Sequence, residues 1–109
     1  MGDDILIVFC TAPTHDKAEE LARGLVDERL AACVNFIPGI RSVYRWEGTV
    51  KNEPENQLII KTTQHRWGAL LAWMEKHHPY AVPEVLAVPV ARSSLPYARW
   101  VREETKPAP

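Results

Sequence analysis

The sequence predicts an α+β domain with the ferredoxin-like order β-α-β-β-α-β, followed by a short C-terminal helix. Segments with strand-like apolar runs alternate in that order with segments of helical periodicity. Prolines lie inside the second and fourth strand segments, which suits the edges of a sheet, where a missing N–H costs least. The first segment is apolar throughout, so we expect strands one and three in the centre, with helices one and two covering one face of the sheet.

The first strand and helix are predicted from residues 5–30. Residues 5–10 form an apolar run of strand length without polar alternation, so both faces of this strand should be buried. Asp16 and Glu19 have the spacing of a capping box at the start of a helix. Apolar residues then recur at helical spacing at Ala18, Leu21, Ala22, Leu25 and Val26, which predicts an amphipathic helix ending near Leu30.

A hairpin is predicted between residues 31 and 63. Residues 31–47 are extended in pattern and interrupted by Pro38-Gly39, which suits an edge strand or a bulge. Residues 51–56 are polar and predict the turn, so that Glu53 and Glu55 would be solvated. Residues 57–63 then form the returning strand.

A second amphipathic helix is predicted from about Gln64, on the spacing of Trp67, Leu70, Leu71, Met74 and His78. It should stop at His78, because a residue before proline is pushed out of the α region. Residues 83–91, which contain Pro89, predict the fourth strand. A short helix follows from Ser94, and residues 105–109 predict a frayed tail.

Composition limits the class of protein. At 109 residues the chain should be one domain, residues 1–109, and a net charge of -1 at pH 7 disfavours nucleic acid as a partner. No apolar run approaches the ~20 residues needed to span a bilayer. Asp3 and Asp4 stand where a signal peptide needs positive charge, so we expect a cytoplasmic protein without a membrane partner. Cys10 and Cys33 are expected to be thiols.

The predicted topology leaves one face of the sheet uncovered by helices. A central strand that is apolar on both faces needs a cover there, and another copy of the chain would supply it. The sequence therefore predicts a homo-oligomer. Tyr44, Arg45 and Trp46 are candidate interface anchors, since aromatic and arginine side chains are enriched at interfaces. Lys61 is a candidate for an ion pair between copies.

The same topology brings several chemically capable residues to one end of the sheet: Cys10, Thr11, His15, His77, His78, Tyr80 and Glu84. A thiol and an imidazole suit a borderline or soft cation such as copper or zinc. Cys10 also precedes a helix amino terminus, which would favour its thiolate. His78 with Cys10 is the preferred pair, because neighbouring His77 and His78 can share an ion only if the helix unwinds at Pro79.

A purely structural role for these residues is an alternative to the interpretation as metal ligands. Cys10 ends a buried strand and can be a small core residue. His78 extends the apolar stripe of its helix and can be a packed histidine bonded to backbone. Glu84 can pair with a basic residue of a neighbouring copy, and Cys33 suits packing better than chemistry.

Several motifs, in their joint order and spacing, resemble the CutA, or divalent-cation tolerance, proteins over nearly the whole chain. The segments that carry the resemblance are Phe9-Cys10-Thr11-Ala12-Pro13, Leu30-Ala31-Ala32-Cys33-Val34-Asn35, Pro38-Gly39, Ser42-Val43-Tyr44-Arg45-Trp46-Glu47-Gly48, Leu58-Ile59-Ile60-Lys61-Thr62-Thr63, His77-His78-Pro79-Tyr80 and Pro83-Glu84.

The resemblance implies a cytoplasmic homotrimer, similar in architecture to the PII signalling proteins and associated with tolerance of copper and other divalent cations. The copper ligands of the family would fall on Cys10, His77 and His78. Its clustered polar residues near clefts between subunits would fall on Tyr44, Trp46, Lys61, Tyr80 and Glu84.

Two functions follow from the residues and the resemblance together. The first is binding of copper(II) or related cations without turnover and without an organic cofactor. The alternative is a PII-like module that responds to a small molecule or partner in the clefts between subunits. We expect no enzyme, because the sequence contains no nucleophile elbow, no phosphate-binding glycine loop and no HExxH motif.

Overall fold

The computed structural model describes residues 3–108. In this range the chain forms β1 (Ile5–Ala12), α1 (His15–Asp27), β2 (Cys33–Trp46), β3 (Thr49–Thr63), α2 (Trp67–His77), β4 (Leu86–Pro89) and α3 (Leu95–Glu104), with a 3₁₀ turn at Gln64–Arg66. This is the predicted β-α-β-β-α-β order with its additional helix. Every helix in the described range is too short or too polar to traverse a bilayer.

The four strands form one antiparallel sheet in the order β2-β3-β1-β4. On its two sides, Val8 of β1 lies opposite Ile60 of β3 and Ala87 of β4. The prediction that strands one and three are central and strands two and four are at the edges is confirmed. The two predicted proline-bearing strands therefore lie where a missing N–H is tolerated.

The β2–β3 hairpin is longer than predicted. Its turn is Glu47-Gly48, with φ of 50° and 79°, and it joins Trp46 directly to Thr49. Positive φ at both central residues is what a tight two-residue hairpin turn requires, and glycine provides it without strain. The predicted turn at 51–56 is wrong, because these residues are strand. They are polar because this arm extends beyond β1, whose last residue pairs with Asn56.

Each proline of the hairpin has a local explanation. The register of β2 against β3 shifts between Ile37 and Ile40, and Gly39 between them has φ of 83°, so Pro38-Gly39 forms the predicted irregularity. Pro54 lies in β3 beyond the end of β1, where β3 has β2 as a neighbour on one side only.

The start of α1 differs from the prediction. Thr14 is the N-cap, and its hydroxyl accepts a hydrogen bond from the Lys17 N–H at 3.1 Å. The predicted capping box from Asp16 to Glu19 is wrong, since Asp16 already lies in the first turn of the helix. There its negative charge interacts favourably with the positive end of the helix dipole. The helix ends at Asp27, and Arg29 has φ of 57°, so the chain leaves helical geometry before Leu30.

The core lies between the sheet and the helices α1 and α2. It is a single cluster of buried side chains: Val8, Cys10, Ala12, Ala18, Leu21, Leu25, Leu30, Ala31, Leu58, Ile60, Leu70 and Met74. In β1 and β3 every second residue contributes, as the alternation of side chains in a strand requires. Cys10 therefore points into the core, and its neighbour Thr11 points to the other face.

Among the described residues, the opposite face of the sheet is covered at one end only, where Ala98 and Val101 of α3 pack with Ile5 and Ala32. We call the remainder the open face; its apolar members are Ile7, Phe9, Ile37, Ile59, Leu86 and Val88. Ile7, Phe9 and Ile59 are only half-buried, so the prediction that β1 is buried on both faces holds within the single chain for one face alone.

The tail begins later than predicted. Thr105 is 2% exposed, and its hydroxyl donates a hydrogen bond to the Val101 carbonyl at 2.8 Å. Placing Thr105 in a frayed tail is wrong, because it completes the end of α3. Pro109, the last residue of the predicted tail, lies outside the described residues.

Candidate functional site

The end of α2 places His78 beside the end of β1. The helix stops at His77, and His78 has extended backbone, φ −75° and ψ 139°, as predicted for a residue before Pro79. The His78 Nε2–H donates to the Thr11 carbonyl at 2.8 Å, and Nδ1 accepts from the Tyr80 N–H at 3.1 Å. Both ring nitrogens are therefore engaged. The side chain is 7% exposed, and burial lowers the pKa of His78, so the imidazole is neutral near pH 7.

Tyr80 connects this corner to β3. Its hydroxyl donates to Glu55 Oε2 at 2.7 Å, and its ring lies 4.9 Å from that of His78. Burial, followed by the hydrogen bond to Glu55, raises the pKa of Tyr80. Glu55 is 7% exposed, so the prediction that it lies in a solvated turn is wrong. The alternating spacing of Glu53, Glu55 and Gln57, typical of one strand face, is the sequence signal that could have predicted a strand at Glu55 instead of a turn.

Cys10 is completely buried, and its thiol contacts the Thr11 carbonyl at 3.6 Å. Burial, followed by the charge of Glu84, raises the pKa of Cys10 to about 12. The expectation that a thiolate is favoured here is wrong, because burial penalises the charged form of the thiol and raises its pKa. Cys10 and Cys33 are free thiols, as predicted.

His77 and His15 take other positions. The exposed His77 ring stacks on Trp73 with centroids 4.2 Å apart, and its Nδ1–H donates to the Trp73 carbonyl at 2.9 Å. Its Nε2 is then the nitrogen with a free lone pair. The His15 ring lies edge to face against Phe36, with centroids 5.3 Å apart.

Copper and zinc need several thiol, imidazole or carboxylate donors around one point. No group of three or more His, Cys, Asp or Glu side chains within residues 3–108 is close enough together to hold a metal ion. Cys10 is a protonated core thiol, and both nitrogens of His78 are bonded to backbone. As folded in the single chain, Cys10, His77 and His78 do not form a closed metal site.

A cleft lies beside His78 and Tyr80, between the part of the β2–β3 hairpin that extends beyond β1, which we call the hairpin arm (residues 40–55), and residues 79–84. Its volume is about 660 Å³, and its lining is Thr11, Ser42, Val43, Tyr44, Trp46, Glu55, Pro79, Tyr80, Ala81, Val82 and Glu84. Four of the five predicted cleft residues are among them. Lys61 is not; it lies near the other end of the open face, opposite Cys33 and bonded to Asn35.

The comparisons with known proteins agree with one another. The sequence pattern of the family described as "CutA1 divalent ion tolerance protein" matches residues 6–104. The divalent-cation tolerance protein CutA of Thermus thermophilus is 44% identical over 99 residues, which are 91% of this chain and 96% of that protein.

Similarity extends to a plant protein and to a solved structure. The chloroplastic protein CutA of Arabidopsis thaliana is 43% identical over 101 residues, and the match covers 93% of this chain but 56% of that relative. The solved structure of the Thermus thermophilus divalent cation tolerance protein superposes with a TM-score of 0.91 at 43% identity, covering 94% of this chain and 99% of the other.

Proposed function

The chain belongs to the CutA1 divalent ion tolerance protein family, and from this premise we propose that it is a cytosolic homotrimer that binds copper and other divalent cations and contributes to tolerance of these ions. The observation that carries the proposal is the continuous match over residues 6–104, which includes every predicted ligand and cleft residue. We propose that residues 1–109 form one domain.

The open face supports self-association. Leu86 is 60% exposed, Val88 44% and Ile37 47%, and together with the half-buried Ile7, Phe9 and Ile59 they form an apolar sheet surface without a cover in the single chain. Contact with other copies would remove this surface from water. Light scattering on the purified protein should give a mass near three times the 12.4 kDa of the chain. A monomer mass at micromolar concentration would contradict the trimer.

The proposed metal ligands are Cys10, His77 and His78. Thiol and imidazole together suit copper and zinc. His77 presents the accessible nitrogen, whereas His78 and Cys10 would have to exchange their backbone contacts, and the thiol its proton, for the ion. Binding should therefore release protons and weaken steeply as the pH falls.

A copper titration by calorimetry on tag-free protein tests this assignment. Cys10→Ser, His77→Gln and His78→Gln should each weaken binding about tenfold or more. The matched controls are Cys33→Ser and His65→Gln, which alter a thiol and an imidazole outside the proposed set. Parent-like affinity in all three ligand variants would show that the ion binds elsewhere.

The proposal includes no catalytic step. Cys10 is the nucleophile that an enzyme reading would require, yet it is completely buried and its pKa is raised to about 12, which leaves almost no thiolate at neutral pH.

One observation favours a second candidate function, a PII-like response to a small molecule. Tyr44, Trp46, Tyr80 and Glu84 come from separate segments and line one cleft of about 660 Å³, a size typical of small-molecule sites. A ligand that binds only the folded protein raises its thermal stability, so a screen of metabolites by thermal shift tests this candidate.

A further inference from the structure

The walls of the cleft combine aromatic rings with carboxylates. Tyr44 and Trp46 come from the hairpin arm and Tyr80 from the loop after α2, while Glu55 and Glu84 supply negative charge. Lysine, arginine and histidine are absent from the lining. The cleft is therefore both aromatic and electronegative.

Within residues 3–108, the carboxylates of this region have no cationic partner. None of the ion pairs within residues 3–108 includes Glu53, Glu55 or Glu84. The hydrogen bonds that Glu53 and Glu55 accept come from neutral phenols, Tyr44 at 2.6 Å and Tyr80 at 2.7 Å. A carboxylate that is nine-tenths buried, as Glu55 is, ordinarily has a cation or several donors beside it.

Glu55 has room for a further partner inside the cleft. Its Oε2 accepts from Tyr80, whereas its Oε1 accepts no hydrogen bond within the described residues. A positive group placed in the cleft would relieve this uncompensated charge.

We propose that the cleft binds a small organic cation, an alkylammonium or guanidinium group carried on a short aliphatic body. Aromatic rings attract such cations through the ring quadrupole, and carboxylates pair with them directly. This inference rests on the second candidate function and names the class of its ligand.

Other ligand classes fit the cleft less well. A bare metal ion is far smaller than 660 Å³, and no group of three metal-ligating side chains occurs within residues 3–108. An anion would meet carboxylates and no basic side chain. A purely apolar ligand would leave the buried carboxylate of Glu55 without compensation.

Calorimetry with two cations and one neutral analogue tests the proposal. The probes are pentane-1,5-diammonium, agmatine and pentane-1,5-diol, titrated into the metal-free parent protein at fixed ionic strength. We expect saturable binding of one molecule of either cation per chain, and no binding of the diol, which has the same length without charge.

Charge-neutral variants locate the binding. Glu55→Gln should weaken cation binding about tenfold, since a buried charge pair is lost, while its amide oxygen can still accept from Tyr80. Glu84→Gln, at an exposed position where folding is not at risk, should weaken it about threefold to fivefold. The matched control is Glu104→Gln, an exposed carboxylate at the end of α3 outside the cleft, which should bind like the parent.

The inference is overturned if neither cation binds, if the diol binds equally, or if Glu104→Gln has an effect as large as that of Glu84→Gln. A loss of assembled mass in Glu84→Gln without cation binding would assign the cleft to a basic side chain of a second copy, which also overturns it. If the cations fail but nucleotides or carboxylic acids raise the thermal stability in a Glu84-dependent way, the ligand class is wrong and the second candidate function stands. If nothing raises it, both are wrong.

Discussion

Replacing Tyr80 by phenylalanine should lower the free energy of unfolding by about 1.5–2 kcal/mol, because it removes one hydrogen bond to a buried charge. The Tyr80 hydroxyl donates to Glu55 Oε2 at 2.7 Å, and Glu55 is 7% exposed. A hydrogen bond to a charged group contributes about 1.5–3 kcal/mol, and a buried carboxylate cannot replace the lost donor fully with water. Tyr80 is itself 37% exposed, so we expect the lower part of that range.

The chain provides a matched control for this substitution. The Tyr44 hydroxyl donates to Glu53 Oε1 at 2.6 Å, a bond of the same chemistry with an exposed acceptor. Tyr44→Phe should change the free energy of unfolding by less than about 0.5 kcal/mol, since water replaces the hydroxyl. The two substitutions differ mainly in the burial of the carboxylate.

Denaturant unfolding at one fixed protein concentration measures both effects, because the stability of an oligomer depends on concentration. A double-mutant cycle of Tyr80→Phe with Glu55→Gln should show coupling between the two positions. Equal costs for Tyr80→Phe and Tyr44→Phe would refute the reasoning, since burial of the acceptor would then have no measurable effect.

Three further outcomes are expected. Because burial lowers the pKa of His78 below its ordinary value of 6.5, the unfolded chain binds the proton more readily than the folded chain. The contribution of His78 to the stability of the metal-free protein should therefore be fully present above about pH 6.5 and decrease below it, by at most about 1.4 kcal/mol per pH unit. Denaturant unfolding should show a smaller dependence on pH in His78→Asn. In a Cys33→Ser background, Cys10 should react with iodoacetamide at pH 8 about a hundredfold faster in denaturant than in the folded protein, since the pKa of about 12 suppresses the thiolate in the fold. Mass spectrometry follows the reaction, and equal rates would contradict the burial of Cys10. Leu25→Ala should cost about 2–5 kcal/mol in denaturant unfolding, because Leu25 is completely buried, whereas Val26→Ala, at a position 43% exposed on the same helix, should cost far less.

Much of the fold follows from local rules that the sequence carries. Pro38 and Pro89 assign β2 and β4 to the edges, Pro79 ends α2 at His77, and Ser94 caps α3 with its hydroxyl bonded to the Tyr97 N–H. Each of these effects acts within a few residues of its cause.

The hairpin shows where local rules were insufficient. Polar composition at 51–56 resembled a turn, yet the glycine at position 48 supplies the positive φ that the actual turn requires, and β3 continues through Pro54. Composition reports contact with water, and a strand that extends beyond its sheet neighbours is as solvated as a loop. The alternation of side chains was the better guide there.

For the candidate site, the sequence by itself determined that His78 and Tyr80 approach the end of β1, because the topology follows from the order of elements and the positions of the prolines. Only the tertiary structure decided what those residues do there: Cys10 faces the core, both nitrogens of His78 bond to backbone, and Glu55 is buried beside Tyr80. The physical reason is that proximity is set by chain connectivity. Orientation, hydrogen-bond partners and desolvation are instead set by packing between residues distant in sequence, such as His78 and Thr11, and no local pattern records them.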